Sequence, residues 1–411
     1  MPGTRIRYMG NKRSLAAAVA LVCQEFPSEL PLVDLFGGMC NVAGAVADSG
    51  RAVHVNDVQC YAELAARCLI ASPEPPPASR AVATLLREGF EDNRARLHHR
   101  FAGDLRREEE ALSPGGSERM RALADDWRHA ANDTGVAAEV ARLAHAPSPP
   151  SRLCTLVFSH GYFGLAQSID IDSVRFAIDK AREDRTTSAS DALWLRLALL
   201  QTASRVAATP GHFAQYLRPA SAATTARITA YRRRPVWEWF LRDVELLRPY
   251  GTMTWRRGNS VSRRDALELA EEGADGPAGP AIFYADPPYS KEHYSRFYHV
   301  LETLERYDYP IAVGVGRYRP DRFRSDFAVG TIVRQAMDRL FAAIAGRGGR
   351  LLFSYPSSGL LITRGGNVRD LLESHFGDVR LLIDQPASHS TLGARHGSRQ
   401  RAVREQVWLG E

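Results

Sequence analysis

The sequence lacks several features that would place it in common protein classes. No apolar run approaches the roughly 18 residues that a membrane-spanning helix requires, and the amino-terminal stretch MPGTRIRYMGNKR lacks the apolar block of a signal peptide. Lysine is scarce, since only Lys12, Lys180 and Lys291 stand among 53 basic residues. We therefore expect a cytoplasmic protein with no membrane partner, in which Lys12 deserves a functional test.

Cysteine is also scarce and shows no pairing pattern. The five cysteines are Cys23, Cys40, Cys60, Cys68 and Cys154. Their odd number and the absence of a C-x-x-C pair argue against a disulfide framework and against a thiolate zinc site. We expect no metal, and we expect the thiols to be small buried groups in a reducing compartment.

Two phosphate-binding signatures are missing. The chain has neither a G-x-G-x-x-G segment nor a Walker lysine pattern, so a pyrophosphate ligand is not clearly expected. The net charge of +6 permits an anionic partner such as nucleic acid, but it is too modest to establish one.

An α/β pattern is present at both ends of the chain. The apolar runs LVDLFGG, from residue 32, and AVHVND, from residue 52, flank a helix-compatible segment. Further strand candidates are residues 253–255, 281–286, 350–355, 380–384 and 403–410. Strands that alternate with helices predict a largely parallel, Rossmann-like sheet.

The middle of the chain has a different character. Proline-rich stretches at residues 72–80 and 146–152 punctuate a charged, helix-prone region. We predict that residues 1–70 and 251–411 form one α/β domain, and that residues 71–250 are a mostly helical insertion.

Acidic residues end the first two predicted strands. Asp34 is followed closely by Gly37 and Gly38, and Asp57 ends the next strand about 20 residues later, the spacing at which a carboxylate holds ribose hydroxyls in nucleotide-binding folds. Strand–Gly–Gly turns are common in proteins without such ligands. With no phosphate signature, the pattern fits a nucleoside.

The stretch AIFYADPPYS places a stiff corner directly behind a later strand. Two prolines force an extended turn, which aims the Asp286 carboxylate and the Pro287 carbonyl outward as paired acceptors. Such a pair matches the two N–H donors of an exocyclic amine, and Tyr289 offers a flat face for the attached ring. An ordinary turn with Tyr289 in the core is the alternative interpretation.

Together these segments resemble a known family. RYMGNKRSLA at 7–16, LVDLFGGMCNVA at 32–43, VHVND at 53–57 and FYADPPYS at 283–290 resemble successive motifs of the Dam-like adenine-specific DNA methyltransferases, which use S-adenosylmethionine. The resemblance extends to residues 161–178 and 295–310, and it thins out between about 71 and 150. It implies a Rossmann-like methyltransferase fold with an inserted target-recognition region.

The resemblance also implies residue roles. The implied catalytic residues are Asp286, Pro287, Pro288 and Tyr289. The implied cofactor-binding residues are Tyr8, Met9, Gly10, Asn11, Lys12, Asp34, Phe36, Gly37, Gly38, Asn56, Asp57, Asn259 and Ser260. Two positions depart from the family pattern, because Cys40 stands where glycine is usual and Asn259 or Ser260 stands where an acid usually faces the cofactor adenine.

The implied activity is site-specific N6-methylation of an adenine rotated out of double-stranded DNA. Candidate DNA-binding residues lie in the arginine-rich stretch before the last strand, namely Arg395, His396, Arg399 and Arg401. Partner proteins of restriction or phage defence are plausible by resemblance. The alternatives are methylation of RNA adenine or cytosine N4, and a binding subunit that retains the fold without turnover.

Overall fold

The computed structural model describes residues 3–6, 13–129, 131–146, 151–273, 276, 279–390 and 400–411. The chain folds into two compact units. The sheet unit comprises Pro249–Tyr294, Phe323–Glu411 and the described residues from Arg13 to Pro73. The helical unit comprises Glu74–Arg248, Ser295–Arg322 and residues 3–6.

The sheet unit is built on seven strands. These are β1 (Leu32–Asp34), β2 (Val53–Asn56), β3 (Ser260–Ser262), β4 (Ile282–Ala285), β5 (Arg350–Pro356), β6 (Val379–Ser390) and β7 (Gln400–Gly410). Their order across the sheet is β3-β2-β1-β4-β5-β7-β6. The first five are parallel, and β7 runs antiparallel between β5 and β6. The predicted Rossmann-like α/β fold is confirmed.

Helices connect the strands and make up most of the other unit. They are α1 (Arg13–Cys23), α2 (Asn41–Ala45), α3 (Cys60–Ala66), α4 (Ser79–Arg100), α5 (Ala102–Leu112), α6 (Ser117–Asp126), α7 (Thr134–Ala144), α8 (Leu153–Val157), α9 (Leu165–Glu183), α10 (Ala189–Val206), α11 (Ala222–Arg232), α12 (Val236–Leu246), α13 (Met253–Arg257), α14 (Ala266–Glu272), α15 (Tyr294–Phe297), α16 (His299–Arg306), α17 (Val333–Gly346), α18 (Leu360–Thr363) and α19 (Val368–Glu373). The predicted helical character of residues 71–250 is confirmed, since α4 to α12 lie there.

Strands β1, β2 and β4 are buried along their whole lengths, as expected for parallel strands covered on both faces. On one face, α14 and α17 pack their apolar sides on β4 and β5, with Leu340, Phe341 and Phe353 in the shared core. The register pairs Asp34 with Tyr284, so β1 and β4 end side by side. The residues that follow both strands therefore meet at the same edge of the sheet.

The structure differs from the sequence-based boundaries in two places. Residues 253–255, predicted as a strand, begin α13, because the Thr252 side chain caps the helix by accepting a hydrogen bond from the Trp255 N–H at 3.2 Å. The neighbour of β2 is instead the short strand β3. Segment Ser295–Arg322 packs with the helical unit, although the predicted catalytic range 251–411 includes it. The functions assigned to the two parts stay predictions.

Candidate active site

The turn after β1 needs both of its glycines. A Cβ on Gly37 would lie 2.3 Å from a methyl of Val55, and the Gly37 N–H donates to the Asn56 carbonyl at 2.8 Å. Gly38 has a φ of 48°, in the left-handed region that favours glycine. The two glycines thus let the turn lie directly against the end of β2.

Asp57 is fixed by backbone donors at this edge. One carboxylate oxygen accepts the Gly38 N–H at 2.9 Å, and the other accepts the Gln59 N–H at 2.9 Å. The side chain is half-buried. Because a carboxylate oxygen can accept more than one hydrogen bond, these two backbone contacts do not by themselves exhaust the Asp57 carboxylate.

Asp34 is the buried carboxyl group of the site, with 2% of its surface exposed. Burial raises the pKa of Asp34 to about 7, and the charges of Asp286 and Asp57 raise that pKa further, while the N–H groups of Phe36 and Ala43 oppose the shift. Its Oδ1 has no hydrogen-bond partner among the described residues. Three carboxylates therefore interact at the ends of β1, β2 and β4.

This arrangement predicts a pH-dependent stability. The pKa of Asp34 is about 7 in the folded chain and about 3.9 in an unfolded one. Between these values the folded chain binds more protons, so the contribution of Asp34 to stability falls as pH rises from 4 to 7. We expect Asp34→Asn to raise the thermal unfolding midpoint by several degrees at pH 8 and by little at pH 4.5. Equal shifts at both pH values would contradict this.

The corner after β4, residues 286–289, is held in place by contacts with the core of the sheet unit. Asp286 is half-buried and Pro287 is buried. Tyr289 packs against the core cluster with part of its ring exposed, and its carbonyl accepts the Leu360 N–H at 2.8 Å. No described residue donates a hydrogen bond to the Pro287 carbonyl. The corner thus holds a carboxylate, a carbonyl acceptor and an aromatic face at the edge where Asp34 lies.

Phe36 adds a second half-exposed ring at this edge. It follows β1 and meets Phe327 edge-on, with 5.6 Å between ring centroids. The contact fixes the ring orientation beside the Asp34 turn.

Asn56 was predicted to bind a cofactor, but its side chain is wholly buried and fully engaged within the protein. Its amide nitrogen donates to the carbonyls of Leu35 at 3.2 Å and Arg264 at 3.0 Å. Its amide oxygen accepts from the Ser262 hydroxyl at 2.8 Å and the Arg264 N–H at 3.0 Å. Asn56 therefore ties the ends of three strands together and has no group left for a ligand.

Asn259 and Ser260 also lie away from the predicted site. They stand at the amino end of β3, and Ser260 is level with His54 rather than with the end of β2. The Asn259 amide bridges the Val53 N–H at 2.9 Å and the Ile70 carbonyl at 3.0 Å. Their placement at the amino end gives no support to a role beside the cofactor adenine.

Asp265 is the acid that follows the carboxyl end of β3. It caps α14, because one carboxylate oxygen accepts the N–H groups of Leu267 at 2.8 Å and Glu268 at 3.3 Å. The side chain is half-buried. The signal that could identify it in the sequence is the acid of RRDALEL, which stands directly before a helical segment.

Cys40 adopts the backbone conformation that explains a glycine preference at its position. Its φ is 59°, in the left-handed region, and its side chain is completely buried. Burial raises the pKa of the thiol well above its usual range, which keeps it neutral. All five cysteines are buried, as predicted.

Eight of the predicted site residues lie in two segments that the structure does not describe. Tyr8, Met9, Gly10, Asn11 and Lys12 lie outside the described residues, as do Arg395, His396 and Arg399. Only the backbone of Arg401 is described, and it pairs with His389.

The strands that lead to the arginine-rich stretch form a projecting ribbon. β5 ends at Pro356, opposite Glu405 of β7, whereas the pairing of β6 with β7 continues to Ser390 and Gln400. Because β5 is parallel to β1 and β4, the two-stranded ribbon extends beyond the carboxyl edge of the sheet, the edge that bears Asp34 and Asp286.

The described residues contain neither a metal-binding cluster nor a membrane-spanning helix. No group of three or more His, Cys, Asp or Glu side chains among them could hold a metal ion. No helix in that part of the chain has the length and apolar character to cross a membrane. His299 is buried in the helical unit, where burial lowers its pKa to about 3.

The chain is similar to two known proteins. The Type II methyltransferase M.FokI of Planomicrobium okeanokoites is 25% identical over 215 residues, which cover 52% of this chain and 29% of that protein. The modification methylase LlaI of Lactococcus lactis subsp. lactis is 23% identical over 153 residues, which cover 37% of this chain and 22% of that protein. The chain thus spans less than a third of the length of either relative. No family model and no solved structure matches it.

Proposed function

We propose that this chain is a site-specific DNA methyltransferase that transfers a methyl group from S-adenosylmethionine to N6 of an adenine. The observation that carries the proposal is the proline-stiffened corner at Asp286–Tyr289, held beside the buried Asp34 at the carboxyl edge of a parallel sheet. The similarity to two methyltransferases, at low identity and over part of their lengths, supports the same reaction class.

The acidic edge fits this cofactor. Asp34 has a buried carboxyl oxygen without a hydrogen-bond partner among the described residues. A nearby cation would stabilise the ionised form of this group. The fixed carboxylate of Asp57 can accept ribose hydroxyls, and we assign the acid near the adenine to Asp265 in place of Asn259 and Ser260. Phe36, Gly37 and Gly38 would line the methionine end, and the loop from Tyr8 to Lys12 stays a proposed part of the site. When bound, S-adenosylmethionine supplies an electrophilic methyl group on a sulfonium.

The corner would activate the acceptor. The amine of adenine is a poor nucleophile because its lone pair is delocalised into the ring. The Asp286 carboxylate and the Pro287 carbonyl would accept hydrogen bonds from the two N–H groups of this amine. These contacts would favour a pyramidal nitrogen whose lone pair is directed at the methyl group. Pro288 holds the corner rigid, and the exposed part of Tyr289 would stack on the base.

A duplex hides the adenine amine, so the base must leave the helix before transfer. The ribbon formed by β6 and β7 extends from the same edge as the corner, which supports a DNA contact through Arg395, His396, Arg399 and Arg401. Target recognition by the helical unit and association with restriction or phage-defence proteins remain parts of this proposal.

The test is methylation in cells. DNA from cells that express the chain should carry N6-methyladenine at one short sequence, and DNA from cells that express Asp286→Ala should carry none. Purified protein with labelled S-adenosylmethionine should methylate double-stranded DNA and leave RNA unlabelled. Detection of N4-methylcytosine in the DNA would identify cytosine as the acceptor. Labelling of RNA alone would identify RNA as the substrate. Absence of cofactor binding by calorimetry would favour a binding subunit instead.

A further inference from the structure

An apolar turn is exposed at residues 311–318 of the helical unit. Seven large apolar side chains in the described chain expose more than a third of their surface, and three of them are Ile311 at 48%, Val313 at 46% and Val315 at 65%. Exposed apolar residues are ordinary when they are scattered singly. Three within five consecutive positions form a patch that needs an explanation.

The turn has a defined backbone. Val313 and Tyr318 exchange N–H to carbonyl hydrogen bonds of 2.8 and 2.9 Å, and the Arg317 N–H donates to the Gly314 carbonyl at 2.9 Å. Gly314 has a φ of 67° and Arg317 a φ of 53°, which close the tight reversal. The exposed side chains are therefore presented by a closed turn and not by an extended loop.

The base of the turn is anchored in the body of the helical unit. Arg317 exposes 2% of its surface, and its guanidinium donates to the carbonyls of Val157 at 2.9 Å and Ser159 at 2.6 Å. The Gly316 carbonyl accepts the Tyr162 hydroxyl at 2.9 Å. With its stem held in this way, the apolar tip stays exposed instead of folding onto the protein.

The surroundings of the turn are positively charged. The guanidinium carbons of Arg296 and Arg322 lie 5.7 and 4.5 Å from the centre of the Tyr318 ring. Between residues 306 and 322 the acids are Asp308 and Asp321. Arg319 pairs with them at 2.7 and 2.9 Å, and Arg306 pairs with them at 2.9 and 3.0 Å. Both acids are thus paired with arginines. The net charge of residues 306–322 is positive, which favours an anionic partner.

We propose that the apolar turn is a wedge that enters duplex DNA during extrusion of the target base, with Val315 at its tip. The inference rests on the proposed function, because it assigns the step that makes the adenine accessible. Apolar side chains inserted between base steps unstack and kink a duplex, while neighbouring arginines bind phosphates. An extruded base also leaves a gap of about one ring, which a short apolar side chain can fill.

The size of the patch favours DNA over a second copy of the chain. A stable protein–protein interface buries about 1,000 Å² or more. Three side chains on a narrow turn supply much less than that. The gap between two stacked bases, in contrast, admits one or two side chains.

Val315→Ser tests the wedge, and Leu21→Ser is its matched control because Leu21 exposes 64% of its surface and lies in α1 of the sheet unit. Two duplexes carry the methylation site mapped in cells, one with the target adenine paired and one with it opposite a mismatched base. We expect Val315→Ser to lower kcat/KM about tenfold or more on the paired duplex and about twofold or less on the mismatched duplex. Leu21→Ser should change neither value.

A fluorescent readout separates extrusion from transfer. With 2-aminopurine at the target position, the wild-type protein should raise the fluorescence of the paired duplex, and Val315→Ser should raise it much less. If Val315→Ser lowered kcat/KM equally on both duplexes, or if Val315→Ser and Leu21→Ser behaved alike, the wedge would be refuted. The proposed function would stay intact. A change in sedimentation with Val315→Ser would assign the patch to self-association instead. A wild-type protein that methylates no DNA would remove both proposals.

Discussion

Asp286→Ala should lower methyl transfer to DNA by about a thousandfold or more, with cofactor binding changed little. The reason is that the carboxylate acts on the acceptor amine, whereas the ribose and methionine contacts are assigned to Asp57 and to the turn after β1. The thermal unfolding midpoint should stay equal or rise, because the charge of Asp286 raises the pKa of the buried Asp34. Single-turnover transfer of labelled methyl groups, calorimetry with S-adenosylmethionine and thermal unfolding measure the three quantities.

Asp338→Ala is the matched control for this variant. Asp338 is a half-buried aspartate on α17 of the same unit. Its carboxylate accepts a hydrogen bond from the His375 ring at 2.8 Å. Its removal should leave methyl transfer near the wild-type rate. If Asp286→Ala retained more than about a tenth of that rate, the catalytic role of the corner would be refuted.

Asn56→Asp should destabilise the sheet unit by about 3 kcal/mol or more. The substitution keeps the shape of the side chain but removes both donors, so the carbonyls of Leu35 and Arg264 would face a carboxylate oxygen in a fully buried position. The expected fall in the thermal unfolding midpoint is about 6–12 °C at pH 8. It should be smaller near pH 4, where a protonated carboxyl can donate once.

Asn367→Asp tests whether the effect is specific to the buried position. Asn367 is exposed and caps α19 by accepting the Arg369 N–H at 2.9 Å, and aspartate caps helices as well as asparagine does. This variant should unfold within about one degree of the wild type. Similar midpoints for the two variants would show that Asn56 does not hold the strand ends together.

The positions of the three acids could be predicted from the sequence. Asp34, Asp57 and Asp286 each follow an apolar run of strand length, and parallel strands bring their carboxyl ends to one edge whatever lies between them in sequence. The large helical insertion did not obscure this, because the rule concerns strand ends and not distance along the chain.

Strand β3 could not be recognised from the sequence. Its sequence, SVS, has three residues, of which two are serines, so neither length nor apolar character marks it as a strand. The resemblance placed Asn259 and Ser260 beside the cofactor adenine, whereas the register of β3 puts both at the amino end of that strand. The hydrogen bonds from Ser262 and Arg264 to the Asn56 side chain depend on the position of β3 beside β2. A side chain at a strand end faces either a ligand or the adjacent strand, and tertiary register decides which.

The exposed apolar turn could not be predicted either. Ile311, Val313 and Val315 alternate with smaller residues, which in sequence suggests a half-buried strand. Their exposure depends on the distant anchor of Arg317 in the carbonyls of Val157 and Ser159. That contact joins residues about 160 positions apart.

The burial of the thiols gives the protein an intrinsic probe of partial opening. Cys23, Cys40, Cys60 and Cys68 lie in the sheet unit, and Cys154 lies in the helical unit. A maleimide reagent can modify a thiol only when the surrounding structure has opened. Peptide mapping of the labelled chain therefore records which unit opened, since the helical unit contains one of these thiols and the sheet unit contains four.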